Sequence, residues 1–284
     1  MQSKPLPMSG QPGPEVMTAK PTALTKAVDA ALARLQAEPA TPARLEAQLR
    51  TLAKWRSAVL ANTQAAKLGN KVAAGPFAGM AYAAQASEGG RAPRMLGAYE
   101  ASLHPVIETV IARAYPQILD IGCAEGYYAV GLARRMPEST VHARDMNPVA
   151  RDLCAEMAKA NGVADRVLIG PEVTHADFAL CAAAPTFILC DIEGAEAELL
   201  DPALAPALTK ADILVEVHEG MRPGLLATLT NRFSASHRIT RIDRDLRPDL
   251  LPDWAATLSD LDRLLLLWEW RATPTPWLWM EHHG

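Results

Sequence analysis

The sequence predicts an α/β protein: a doubly wound, mostly parallel sheet preceded by a helical extension and closed by an antiparallel hairpin. Three observations point there. The run Ile118-Leu119-Asp120-Ile121-Gly122-Cys123-Ala124-Glu125-Gly126-Tyr127-Tyr128-Ala129-Val130-Gly131 passes from a short apolar strand pattern through a glycine turn into an alanine-rich helix pattern. From Ile118 to Val217 such strand patterns alternate with helical ones, as parallel sheets covered on both faces require. Beyond Leu264 the character changes, with two extended segments flanking Thr273-Pro274-Thr275-Pro276.

In chain order, residues 1–20 are rich in Pro, Gly, Ser and Gln, carry little to bury, and are expected to be a disordered tail. Residues 21–94 are expected to form a helical extension and a loop or lid region. A helical pattern starts at Thr22 and breaks at Glu38-Pro39-Ala40-Thr41-Pro42, where Thr41-Pro42 has the form of an N-cap followed by a first-turn proline. Leu45, Leu49, Leu52 and Val59 then share one helical face, suited to packing on the main domain, to a dimer contact or to a lid. Between Gly69 and Tyr99 the glycines multiply, as in connections and in loops that close over ligands.

The domain expected over 95–284 then reads strand 118–121, helix 128–136, strand 140–143 ending at Asp145, and helix 148–161 stopping at Asn161-Gly162. Strand 166–169, strand 186–190 ending at Asp191, a helix opening at 195–200, and strand 213–217 ending in His218-Glu219 follow. The terminal hairpin is expected from 264–271 and 277–282. Trp268 and Trp270 would lie on one face of it, Glu269 and Arg271 on the other.

Composition narrows the class. The chain has 284 residues, 49% hydrophobic and 21% charged, enough for a sizeable core. A net charge of −4 disfavours a nucleic-acid partner, which needs clustered Lys and Arg. Cys123, Cys154, Cys181 and Cys190 sit in apolar segments without metal-type spacing and are expected to be free core thiols. With no secretion-type apolar run and no membrane-length apolar stretch, the expected location is the cytoplasm, away from the membrane.

A glycine turn between strand and helix sets backbone N–H groups and a helix N-terminus against a nucleotide-like ligand, and Gly122 and Gly126 admit close backbone approach. The spacing lacks the lysine of a phosphate loop and is not the dinucleotide fingerprint. Followed by Asp145, this motif resembles that of class I S-adenosylmethionine-dependent methyltransferases over about residues 95–283. Asp191-Ile192-Glu193-Gly194-Ala195-Glu196 and Leu214-Val215-Glu216-Val217-His218-Glu219 resemble, within that class, the FkbM-like group. The resemblance implies a Rossmann-like, seven-stranded fold, S-adenosyl-L-methionine as cofactor, and a hydroxyl of a small-molecule or sugar-like acceptor as methyl acceptor. Asp120, Gly122, Ala124 and Gly126 would line the cofactor's amino-acid and sugar portions. Asp145 would accept from both ribose hydroxyls, one of Glu172, Val173 and Thr174 would contact adenine, and Asp191 would face both cofactor and acceptor.

Methyl transfer to a hydroxyl needs an aligned acceptor and a route for its proton. His218 is the first candidate base, with Asp191 beside it. Asp191, Glu193 and Glu219 could instead hold a divalent cation, and Glu193 and Glu196 could cap the helix that follows. Glu100 could reach the cofactor's ammonium if its segment folds over the site, and one of Tyr127 and Tyr128 could touch the cofactor while the other packs. His104 and His175 are lesser candidates for the acceptor pocket, and His282 and His283 read as a frayed end. Alternatives are a protein, peptide or RNA methyltransferase, and a non-catalytic subunit of the same fold. A homodimer is compatible with the alanine-rich helices.

Overall fold

Seven strands build one sheet in the order β3-β2-β1-β4-β5-β7-β6. They are β1 Gln117–Ile121, β2 Thr140–Arg144, β3 Val167–Gly170, β4 Thr186–Cys190, β5 Asp212–Glu216, β6 His237–Ile242 and β7 Trp277–His282. The computed structural model describes residues 22–82 and 90–283; the tail expected over 1–20 lies outside them. Strands β1 to β5 are parallel, and β7 runs antiparallel between β5 and β6. Every residue of β4 and β5 is buried, as their central places demand, whereas the edge strands β3 and β6 are partly exposed.

Side chains alternate between two cores, as the period of two requires. Ile118, Val141, Phe187 and Leu214 pack on one face with residues of the helices His104–Arg113, Tyr127–Arg135 and Pro148–Ala160. Leu119, Ile188, Ile213 and Met280 pack on the other with Leu225, Leu229 and Phe233 of the helix Leu225–Phe233. All four cysteines are buried and free.

The terminal hairpin is differently composed from the one expected. Residues Asp260–Leu266 form a helix: the Ser259 side chain accepts from the Asp262 amide at 3.2 Å, and Asp260 and Asp262 favour its first turn. The antiparallel partner of β7 is β6, whose sequence His-Arg-Ile-Thr-Arg-Ile is too polar for a buried strand and fits an edge.

The chain divides into two compact units, residues 1–55 and 56–284. In the first, Thr22 caps the helix Ala23–Gln36 and Thr41 Oγ1 accepts from the Arg44 amide at 3.2 Å, opening the helix Pro42–Leu68. Leu45, Leu49 and Leu52 on that helix are exposed. Among the described residues no helix is long and apolar enough to cross a membrane.

Candidate active site

Strand order reverses between β1, which leads outward to β2, and β4, which leads to β5. In open α/β sheets the crevice beyond the carboxyl ends at this switch is where ligands bind. Registers of Ile121 with Arg144 and with Cys190 bring the loops after β1, β2 and β4 side by side. The loop after β1 is fastened on both flanks: the amides of Gly122 and Cys123 donate to the Arg144 carbonyl at 2.8 and 3.0 Å, and the Asp191 amide donates to the Ile121 carbonyl at 2.9 Å.

Gly122 has φ +84°, and a Cβ there would lie 1.8 Å from the Asp191 carbonyl oxygen. The close approach expected against a ligand is therefore made first by the chain's own β4 loop. At Gly126 a Cβ would meet Cys154 Sγ at 2.7 Å, so this glycine seats the next helix. Ala124 takes φ +47° and donates its amide to Asp145 Oδ2 at 2.9 Å, while Asp145 Oδ1 accepts from the Asn147 amide at 2.8 Å. Asp145 is half-buried, and each of its oxygens retains a lone pair for a further donor.

Asp120 lies beneath this loop, 1% exposed, with neither carboxylate oxygen in a hydrogen bond of good geometry. Burial pushes it up to about 7; the Ala129 amide offsets part of that rise, and the Asp145 charge adds to it. A carboxyl raised above its unfolded value binds protons more tightly when folded, so stability falls as pH climbs from about 4 to about 7. Asp120→Asn should therefore match the wild type near pH 4 and exceed it by roughly 4 kcal/mol near pH 8, less whatever relaxation recovers. Urea unfolding at both values measures this, and an unchanged difference between them would refute it.

Glu125, in the same loop, was not singled out by its sequence position, yet it is fully buried. It accepts from Tyr82 Oη at 2.6 Å and pairs with Arg94 Nε at 3.1 Å, and the Arg94 guanidinium lies 3.9 Å from the Tyr99 ring centre. Tyr127 packs edge-on against Phe77, Tyr82 and Tyr99. These contacts draw residues 72–82 and 90–103 over the start of the helix Tyr127–Arg135. The signal was the spaced aromatics Phe77, Tyr82 and Tyr99, unreadable without a partner. Tyr127 is the packing member of its pair; Tyr128 is half-buried and donates Oη to Glu100.

The ends of β4 and β5 carry a second group. Glu100 is 3% exposed, and Arg271 bridges it to Glu216 and Glu269, with Thr275 Oγ1 donating to Glu216 at 2.6 Å. Glu269 also accepts from the Glu100 amide at 3.0 Å and from Arg244 Nε at 2.8 Å. Burial, with the charges of Glu216 and Glu269, pushes Glu100 up to about 7 against the pull of Arg271 and Tyr128. Burial and the charges of Glu216 and Glu100 likewise push Asp191 well up. Glu100 thus lies beside Asp191 and Glu216 and is engaged by the protein's own arginine.

His218 is 4% exposed, and its Nδ1 lies 2.7 Å from Oε1 of the fully buried Glu196. Its Nε2 faces Glu193 Oε2 at 3.4 Å and Asp191 Oδ1 and Glu216 Oε2 at 3.5 Å. Burial pulls His218 down, but the hydrogen bond to Glu196 and the charges of Glu216, Glu196 and Glu193 leave it raised. Glu219, expected among the metal candidates, is not in this group. Its oxygens accept from the amides of Gly224 and Leu226 at 2.6 and 2.9 Å, so it caps the helix Leu225–Phe233. The side chain after a strand end points away from its neighbour, which excludes one of the adjacent pair His218 and Glu219.

His175 lies apart, with Nε2 3.0 Å from the Glu198 carbonyl. Among the described residues five non-glycine residues have positive φ: Glu100, Ala114, Ala124, Glu193 and Trp270. All but Ala114 belong to the loops around this crevice, the distribution expected when surrounding structure enforces a functional geometry.

No family model matches the chain, and no curated protein matches it. Solved structures do. An O-methyltransferase from Bacillus cereus in complex with S-adenosylhomocysteine is 12% identical, over 94% of this chain and 94% of that one, with a TM-score of 0.41. The O-methyltransferase TomG from Streptomyces achromogenes, in complex with S-adenosylmethionine, is 14% identical over 62% and 78%, with a TM-score of 0.41. The human methyltransferase 10 domain containing protein is 11% identical over 64% and 81%, with a TM-score of 0.42. Likenesses this low leave the fold resting on the chain's own strand order and carry nothing about its chemistry.

Proposed function

We propose that the chain is an S-adenosylmethionine-dependent O-methyltransferase of the FkbM-like kind, acting on a hydroxyl of a small-molecule or sugar-like acceptor in the cytoplasm. The observation that carries this reading is the convergence of Asp120, Ala124 and Asp145 on one glycine loop at the switch point. The residues fit the cofactor: Asp145 is half-buried with accepting capacity on both oxygens, and Asp120 holds two orphaned oxygens beneath the loop. Asp145 would hold the ribose hydroxyls, the backbone from Gly122 to Gly126 would follow the sugar and amino-acid portions, and Glu100 would lie toward the ammonium.

When bound, the cofactor supplies a methyl group already activated on a sulfonium. The chain's own residues then have three tasks. Residues 72–82 and 90–103 cover the loop and exclude water. The surplus of carboxylates over arginines around Asp191 favours a positive charge in the crevice. Asp191 and His218 flank the acceptor side, where the proton of a hydroxyl has to go, and Glu196 fixes the orientation of the imidazole.

Calorimetric titration of the full chain with S-adenosylmethionine and S-adenosylhomocysteine tests the reading. Both should bind, and Asp145→Ala should weaken binding by about tenfold to a hundredfold, the effect of losing charge-assisted hydrogen bonds. Failure of the folded wild type to bind either ligand would overturn it, as would an Asp145→Ala variant that binds equally well.

A further inference from the structure

We propose that Asp191, Glu193 and His218 form a three-ligand site for a transition ion of the zinc class, with the fourth position left to the acceptor oxygen. The proposal deepens the reading above and rests on it only for the identity of that fourth ligand.

His218 comes first. The buried Glu196 carboxylate at 2.7 Å accepts a hydrogen bond from Nδ1, which fixes the ring and leaves Nε2 as the atom able to bind a proton or a metal ion. A carboxylate behind a histidine in this way is the usual outer partner of a metal-binding imidazole. Nε2 is aimed, from a side chain 4% exposed, at two carboxyl groups: Glu193 Oε2 at 3.4 Å and Asp191 Oδ1 at 3.5 Å. At this spacing the groups are held together either by a shared proton or by a metal ion in its place, and a metal takes the site by displacing that proton.

The spacing matches that of metal ligands. Two donors bound at about 2.1 Å and subtending a tetrahedral angle stand about 3.4 Å apart. Asp191 Oδ1 adds a separate indication, since it is buried and has no hydrogen-bond partner. One atom each from Asp191, Glu193 and His218 lie within 4.8 Å of one another. Glu193 reaches this position through a left-handed backbone at φ +55°.

Glu216 Oε2 is also 3.5 Å from Nε2, but Glu216 Oε1 is taken by Arg271 and Thr275, which makes Glu216 a neighbouring charge rather than a fourth ligand. The donor set then selects the ion. Magnesium prefers an octahedron of oxygens with retained waters, and calcium takes six to eight oxygens. The imidazole among the donors favours a borderline ion such as zinc over these hard cations, and three protein donors leave a fourth position open. An ion there would hold the acceptor oxygen and ease loss of its proton.

The test uses the full chain after treatment with a chelator, titrated calorimetrically with zinc chloride and, separately, with magnesium chloride. S-adenosylhomocysteine is titrated into the same preparation. Zinc should bind one to one and at least a hundredfold tighter than magnesium. His218→Gln and Glu193→Gln should each weaken zinc binding by tenfold or more, while Glu219→Gln should leave it unchanged. Thermal melts confirm that each variant is folded, and Glu193→Gln, at a half-exposed position, guards against loss of fold in the histidine variant. Absence of one-to-one zinc binding would overturn the proposal, as would equal affinity for magnesium or undiminished binding in both ligand variants. If zinc fails while S-adenosylhomocysteine binds, the metal site alone falls; if S-adenosylhomocysteine also fails, the methyltransferase reading falls with it.

Discussion

Gly122→Ala is expected to cost about 3–5 kcal/mol of folding stability and to abolish binding in the crevice. Two effects add. At φ +84° an L-residue sits in the left-handed region, which by itself costs about 1–2 kcal/mol. The larger effect is contact: the new Cβ would lie 1.8 Å from the Asp191 carbonyl oxygen, a backbone atom that cannot rotate away. Relief requires the loops after β1 and β4 to separate, breaking the hydrogen bond from the Asp191 amide to the Ile121 carbonyl and displacing the residues that face the site. Gly162→Ala isolates the first effect, because Gly162 has φ +67° and nothing within 4 Å of the added Cβ. Urea unfolding of both variants should show Gly122→Ala the costlier by at least about 2 kcal/mol. Equal costs would mean that the loops part easily and that the cradle is not rigid.

That glycine also shows how far the sequence could be read. Its place between an apolar strand and an alanine-rich helix located the crevice, because strand and helix periods are local properties of the chain. The same holds for the strands ending at Asp145 and Asp191 and for the caps at Thr22 and Thr41. What Gly122 makes room for was not local: the Asp191 carbonyl is far away in sequence and arrives only through the pairing of β1 with β4. The exchange of strand for helix over 264–266 has a similar origin. The leucine run there fits either element, and Ser259 with Asp260 and Asp262 was the helix-start signal that decides it. Among the site residues, Asp120, Asp145, Asp191 and His218 were visible because each follows or ends a strand. Glu125, Arg94 and Arg271 were not, because an ion pair buried between distant segments leaves no periodic trace.

Arg271→Met is expected to be the most damaging change outside the glycine loop. The guanidinium joins Glu100, Glu216 and Glu269, three carboxylates each at most 5% exposed, and its own side chain is 19% exposed. Methionine keeps much of the packing volume but leaves Glu269 to Arg244 and Glu216 to His218 at 3.5 Å. Removing one partner of a buried ionic group costs about 3–5 kcal/mol, since the remaining charge stays desolvated. The sign with pH follows from protonation. Glu100 is already raised to about 7 with Arg271 present, and losing the cation raises it further. A carboxyl whose folded value exceeds its unfolded value loses stability as pH rises between the two, so the share of the deficit that Glu100 carries should be absent near pH 5 and grow as pH rises above about 7. Adding Glu100→Gln should restore part of the loss at pH 8 and little at pH 5, because the neutral amide no longer needs a counterion. Unfolding by urea at both values, for the single and double variants, measures all three expectations. A deficit independent of pH would mean that Arg271 acts through packing or through Glu216 and Glu269 and not through the protonation of Glu100.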